Sequence, residues 1–386
     1  GDIWLNSLAP WDGFAPGSYG YSTLIHEIGH ALGLKHPFEG PVMLPAQQES
    51  YAYSLMSYTA YAGAARSWVD FEPTTPMLYD LLAIQSMYGA NLTTRSGDDT
   101  YVFTENQRYF QTLWDAGGND TVVWQGQTQG ARIDLNAGKF SQLGEALTFW
   151  SEDFSSSWTD RDTVAIAFGV AIENATGGDG NDTLIGNALD NRLTGGAGND
   201  TLDGGAGLDT ATYNAVRATY ALAPTSGGFA ISSSDGTDNL SGIERLQFSD
   251  KKIALDLAPS EHAGQALEFI GVMAPSLIHS PSIVGVVLGL IDGGLSMQGI
   301  FQLAIDIGLV NDIAGSNSTV AVAQMAFRNV IGVEAGAAMT DQLVSYMDGR
   351  IASFSQAEFL SAVAGMDVNQ AHIGLIGLQQ TGVEFI

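Results

Sequence analysis

The sequence predicts an α+β chain of several domains: a mixed amino-terminal segment at 1–90, an all-β region at 91–257 and an α-helical region at 258–386. Three observations carry this reading. The stretch HEIGHALGLKHP, His26 to Pro37, places two histidines four apart, on one face of a helix. A glycine–aspartate pattern recurs every nine residues from 177 to 212. After 258 the apolar positions change to helical spacing. A length of 386 residues exceeds the usual single domain and accords with two or three units.

Composition narrows the partners. Forty-two Asp and Glu oppose fourteen Lys and Arg, a formal charge of −28. Such a surface repels nucleic acid and anionic membrane, so neither is an expected partner. It suits divalent cations, because carboxylates are the ligands calcium prefers. There are no cysteines, which excludes disulfides and thiolate metal sites. The longest apolar run, SIVGVVLGLI at 282–291, falls short of a membrane span, so none is expected. The opening GDIWLNSLAPWDG has neither the basic start nor the apolar block of a secretory signal, and no conventional amino-terminal export address is expected.

In the first segment, His26 and His30 project about one helical turn apart, so both imidazoles reach the same ion. Glu27 sits one step round that face, placed to act on a water without being a ligand. Gly33 suits a left-handed helix exit that returns His36 as third ligand. Three protein ligands and one open position are the arrangement of a catalytic zinc, not of a closed structural site. SLMSY, Ser54 to Tyr58, follows about twenty residues later. The segment ends in PTTPMLYDLLAIQSMYG, a predicted helix with Thr75 as cap, Pro76 in the first turn and Gly89 at the exit.

Residues 91–212 are rich in Gly, Asp, Asn and Thr, with strand-like pieces such as DTVVW and ARIDL. Units GGDGNDTLI, GNALDNRLT, GGAGNDTLD and GGAGLDTAT start at 177, 186, 195 and 204. This resembles the nonapeptide of RTX proteins, and the expectation is a calcium-binding parallel β-roll. Each unit supplies a turn and a short strand with one inward apolar residue, Leu184, Leu193 or Leu202. Gly177, Gly195 and Gly204 open the turns, and Asp179, Asp182, Asp200 and Asp209 are the candidate calcium ligands. Half-motifs SGDDT and AGGND add Asp98, Asp99 and Asp120. The second unit lacks the full turn, so a weaker site is expected there. Two coils bury little surface, so the roll should be unfolded without calcium.

Residues 213–257 read as antiparallel strands, from the alternation in GFAISSS and ERLQFSDKKIALDL. Beyond 258, SMQGIFQLAIDIGL, STVAVAQMAFRNVIG and SQAEFLSAVAG read as helices, and Ser355 with Glu358 has capping-box spacing. His262, His279 and His372 are scattered, as surface or packing residues would be.

On these residues the chain resembles the serralysins, bacterial secreted metzincin proteases with a calcium-binding carboxyl-terminal region. The likeness rests on HEIGHALGLKHP, with Pro37 after the third histidine, and on SLMSY, YDLLAIQSMYGANLTTRSGDDTYVF and WDAGGNDTVVW. It covers about residues 1–212 and implies that 1–90 is the lower half of a metzincin catalytic domain. His26, His30 and His36 would then hold zinc, with Tyr58 as a removable fifth ligand that steadies the oxyanion. Glu27 would be the general base and Met56 the apolar floor. The implied activity is zinc-dependent hydrolysis of protein or peptide substrates outside the cell. Export through type I secretion machinery, with an uncleaved signal ending in GVEFI, follows from the same likeness.

The chain also departs from that family. Serralysins carry much of the catalytic domain ahead of the zinc helix, whereas 25 residues precede His26, with GDIWLN resembling the last strand. The upper half of the cleft is therefore expected on a separate fragment, a partner of this chain. The insertion SEDFSSSWTDRDT at 151–163 is expected to interrupt the β-region. The competing reading is a non-enzymatic calcium-dependent cell-surface or adhesion protein with a relic site. Intact ligands, base, methionine and tyrosine favour the enzyme, and no G-x-S-x-G elbow supports a lipase.

Overall fold

The computed structural model describes residues 13–348 and 355–386; the strand expected at GDIWLN lies outside them. The structure is mixed α+β and divides into two compact units, Gly1–Ala211 with Ser232–Gly242, and Thr212–Ile231 with Ile243–Ile386.

In the first unit the nonapeptides build two parallel ladders. Thr183 pairs with Thr201, eighteen residues on, and Leu184 with Leu202. On the other ladder Leu193 pairs with Ala175 and Ala211. Successive repeats therefore alternate between the two ladders. Leu184, Leu193, Leu202 and Ala211 are all 0 % exposed and fill the narrow interior. Burial of these small apolar groups is the only packing a coil has, which is why the apolar residue holds a constant place in each repeat.

One expectation for the β-region is extended and another corrected. Residues Gly236–Ser241 lie beside Gly228–Ser233 across a two-residue turn, as expected of antiparallel strands, and on their other edge they run parallel to Thr201–Asp203, with Leu240 beside Leu202. The segment SSDGTDNLS keeps the glycine, aspartate and leucine of a nonapeptide at its fourth, sixth and eighth places, so it stacks as a further coil. The insertion at 151–163 does not interrupt the sheet. Strand Ser157–Ile166 pairs antiparallel with Phe140–Trp150, with the tip and an irregularity between Gln142 and Leu147 outside the ladder.

The helix Leu78–Tyr88 starts later than expected. Met77 is its cap residue, and the Asp80 carboxylate accepts the Met77 amide at 2.9 Å. Thr75 instead accepts the amide of Thr112 at 2.9 Å, tying the lead-in to the strand Gln111–Leu113. Gly89 ends the helix at φ 82, as expected. A small core of Leu55, Ala60, Met77, Phe110, Leu147 and Phe149 lies beneath the 54–60 loop and fixes its height against the sheet.

The second unit joins an antiparallel meander, Arg245–Gln247, Lys252–Ala254 and Val383–Phe385, to a set of helices. Helix His262–Met273 is buried on nearly every side and forms the centre of the apolar core. Helices Met297–Asp306, Thr319–Ile331 and Gln356–Ala364 occupy the three stretches with helical spacing. The Ser355–Glu358 capping box is present, with Glu358 N 3.2 Å from Ser355 Oγ. Buried Arg245 donates to Asp256 and Asp292, and His262 Nδ1 lies 2.8 Å from Asp292 Oδ1. His262 is thus a partly exposed residue held by Asp292. Among the described residues no single helix is long and apolar enough to cross a membrane.

Glu268, 3 % exposed on the central helix, accepts a hydrogen bond from Gln370 Nε2 at 2.7 Å. Burial pushes its carboxyl up to about 7, against the opposing effect of Gln370. The folded unit thus binds a proton that the unfolded chain releases at ordinary carboxylate pH, and this contribution is lost as pH rises through about 7. Glu268→Gln should remove that dependence, gaining on the order of 3 kcal/mol relative to wild type at pH 8 and nothing at pH 4. Thermal unfolding of both proteins across that range measures it.

Candidate metal centre

The helix Tyr19–Ala31 opens at Ser18, whose Oγ accepts the Tyr21 amide at 3.3 Å. It ends where Gly33, at φ +99, turns the chain back, and the Gly33 amide closes on His30 O at 2.9 Å. A side chain other than glycine would be strained there. This exit brings His36 against the helix. Ring centroids are 4.8 Å apart for His26–His30, 4.6 Å for His30–His36 and 5.3 Å for His26–His36. One nitrogen from each lies within 4.8 Å of the others.

The outer nitrogens decide how the inner ones face. His26 Nδ1 lies 2.9 Å from Leu55 O, and His30 Nδ1 lies 3.0 Å from Leu34 O. A carbonyl only accepts, so both Nδ1 atoms carry protons and both Nε2 atoms present lone pairs. His36 Nδ1 lies 3.0 Å from Glu39 Oε1, an ion-pair distance without a hydrogen bond. His30 Nε2 lies 3.1 Å from His36 Nε2. Either a proton on His36 Nε2 or a cation shared by the two nitrogens satisfies this contact. Tetrahedral nitrogen ligands at 2.0–2.1 Å would be about 3.3 Å apart, so the residues fit a zinc-sized ion. Burial, opposed by the Leu55 carbonyl, lowers the His26 pKa and favours the neutral ring.

Met56, 2 % exposed, lies under the helix at Gly29, where a Cβ would meet its Sδ at 2.6 Å. Glycine at 29 is therefore needed for this close approach. Tyr58 is 55 % exposed, with its ring 5.8 Å from His26 and 4.6 Å from His36. Burial, then Glu27 and Glu39, holds its phenol above the usual range. Sequence reasoning missed Asp80. Its two oxygens accept Ser54 Oγ at 2.6 Å, Leu55 N at 2.7 Å and Met77 N at 2.9 Å. Nothing in its spacing from the histidines signals this, because it arrives from another helix.

The predicted acidic residues separate into distinct groups. Asp99 and Asp120 come together with Asp115, a residue inside WDAGGNDTVVW that sequence reasoning passed over. Asp98 stands apart from them and accepts the Asn119 amide at 2.9 Å. Asp120 is fully buried, and its Oδ2 makes no hydrogen bond. Along the roll, Asp182 Oδ1 accepts Ala131 N, Asp200 Oδ1 accepts Asp182 N and Asp238 Oδ1 accepts Asp200 N. Asp209 Oδ1 accepts the amide of Asn191, the residue that replaces aspartate in the degenerate unit. Asp179 is exposed at its turn.

The glycines at 177, 195 and 204 serve these carboxylates. A Cβ there would meet Asp182 Oδ2, Asp200 Oδ2 and Asp209 Oδ2 at 2.4, 2.3 and 2.7 Å. Asp200 is fully buried with Oδ2 unbonded, and burial, then Asp238 and Asp182, pushes its carboxyl up to about 7. A crowded, desolvated column of acids of this kind fits a hard divalent cation.

Comparison with known proteins bears on this arrangement. Residues 80–255 match the family model described as peptidase M10 serralysin C terminal. Over those residues the chain is similar to the serralysin C-terminal region. Metalloprotease AprA of Pseudomonas entomophila is 39% identical, over 46% of this chain and 39% of that protein. Serralysin of Photorhabdus luminescens is 39% identical over 45% of this chain and 38% of its own length. Serralysin C of Dickeya chrysanthemi is 41% identical over 44% and 37%. The chain thus spans under two fifths of the length of these relatives. The serralysin match runs to residue 255, past the point near 212 where the sequence likeness was expected to stop, and takes in the coil at Gly236–Ser241.

If Asp80 orients His26 through Leu55, Asp80→Asn should weaken zinc binding by roughly 10-fold or more, as loss of such supporting bonds does. Competition against a chromogenic chelator measures it, and the calcium response of the roll should stay unchanged.

Proposed function

We propose that this chain carries the catalytic site of a secreted zinc endopeptidase, stabilised by calcium in its RTX repeats. The observation that supports it best is the convergence of three imidazoles, one nitrogen of each within 4.8 Å of the others, with His26 and His30 turned inward by bonds on their far side. Zinc held by His26, His30 and His36 would supply an acidified water and a Lewis acid for a peptide carbonyl.

The chain's own groups do the rest. Glu27, next to His26 on the helix, takes the proton of the attacking water and passes it to the leaving amine. Tyr58 keeps its proton because burial and the acids Glu27 and Glu39 disfavour the phenolate. It is therefore a donor, placed to stabilise negative charge growing on the carbonyl oxygen, and its exposure leaves it free to swing toward or away from the ligand set. Met56 under Gly29 sets the floor beneath the histidines. Asp99, Asp115 and Asp120, and the column of Asp182, Asp200 and Asp238, would hold calcium. Extracellular calcium sites commonly have Kd values of about 10⁻⁴–10⁻³ M, so the roll would order outside the cell, in keeping with type I export. An upstream fragment carrying the rest of the cleft is the proposed partner.

Glu27→Gln should retain one equivalent of zinc by metal analysis while peptide hydrolysis by the assembled protease falls at least ~1,000-fold. Wild-type turnover by that variant would overturn Glu27 as the base, and absence of hydrolysis by the wild-type assembly would leave the non-enzymatic reading in place of this one. Asp200→Asn should raise several-fold the calcium concentration at which the roll folds. Circular dichroism during a calcium titration reads that midpoint directly.

A further inference from the structure

Beside Glu27 the first unit holds a cavity of about 190 Å³. Its wall is unusually rich in hydroxyls: Ser22, Thr23 and Ser57, with the phenols of Tyr19 and Tyr51. Ser22 is one turn before His26, so it shares the face that carries the metal ligands. Two carboxylates stand behind this wall. Glu72, 7 % exposed, has Oε2 3.5 Å from Ser22 Oγ. Glu49 Oε1 accepts from Ser57 Oγ at 2.5 Å. The field they create reaches inside, since burial and then Glu72, with Glu49 among the further causes, drive the Tyr51 phenol far above its ordinary range.

Such a cavity discriminates between side chains. An aliphatic group entering it would strip water from the hydroxyls and return no hydrogen bonds. An ammonium or guanidinium group has donors only, which match acceptor oxygens, and its charge is attracted by the acids behind them. Glu27 would hand its proton to the leaving amine, so a cavity beside Glu27 faces the residue on the amine side of the cut.

We propose that this cavity takes a basic side chain, lysine or arginine, on the residue following the cleaved bond, with Glu72 and Ser22 setting the preference. The inference rests on the endopeptidase reading and adds the substrate class to it.

Two hydroxamates that differ only in their side chain, 4-aminobutyl against isobutyl, test it by calorimetric titration of the zinc-loaded assembled protease. The aminobutyl compound should bind at least ~10-fold tighter, and more so at low salt. Glu72→Gln and Ser22→Ala should each cut that ratio to within about threefold, and neither should weaken isobutyl binding. Zinc content and circular dichroism establish that each variant is folded, and Ser22→Ala decides the matter if Glu72→Gln is not. Equal or tighter binding of the isobutyl compound to wild type overturns the selectivity alone. Failure of both compounds to bind a chain that retains zinc overturns the endopeptidase reading, and the selectivity with it.

Discussion

A buried carboxylate, Asp80, is the constraint on which the histidine cluster depends. It caps its own helix at Met77 and grips the 54–56 loop by Ser54 and Leu55. The Leu55 carbonyl, thus fixed, accepts a hydrogen bond from His26 Nδ1 and turns Nε2 inward. The same loop carries Met56 under Gly29 and Tyr58 against His36. Burial alone would favour a neutral Asp80, and three hydrogen bonds oppose that by favouring its charged form. One acid thereby coordinates residues from three separate stretches of chain, and the geometry of the cluster is set as much from below as from the helix that bears it.

What could be read in the sequence was what lies close along it. His26 and His30 are joined by one helical turn, and Gly33 and His36 follow within six residues, so local backbone rules suffice to bring them together. The nine-residue period is likewise visible because each coil repeats its neighbour. Asp80 was not legible, since its partners are some twenty-five residues away and its own helix shows no sign of them. The cap expected at Thr75 failed for the same reason: Thr75 is engaged with Thr112, a contact no local rule contains. The coil at Gly236–Ser241 was missed because a departure of the chain from 213 to 231 breaks the count before the pattern resumes. Asp115 could have been found, as it stands two and five residues before Gly117 and Asp120 in a glycine–aspartate turn.

The repeats also show why acid and glycine are enriched together. A turn whose aspartate folds back onto its own first residue has no room for a Cβ there, as at Gly177, Gly195 and Gly204. Each aspartate then reaches the amide of a lower coil, so the column is both a ladder of hydrogen bonds and a stack of like charges. Without a counter-ion these two roles oppose each other. The excess charge of −28 is in part the cost of building a scaffold from such turns.

The strand Val383–Phe385 closes the meander of the second unit by pairing with Lys252–Ala254, reinforced by Lys251 and Glu384 at 2.8 Å and by Ile386 N on Pro281 O at 3.2 Å. Its partner lies more than a hundred residues away, so this closure waits for the helices between. The strand is the outermost of its sheet, so one row of its backbone groups is paired with Lys252–Ala254 and the other faces outward. Folding of the second unit therefore withdraws one edge of this strand, and the edge that stays open can still accept a further strand.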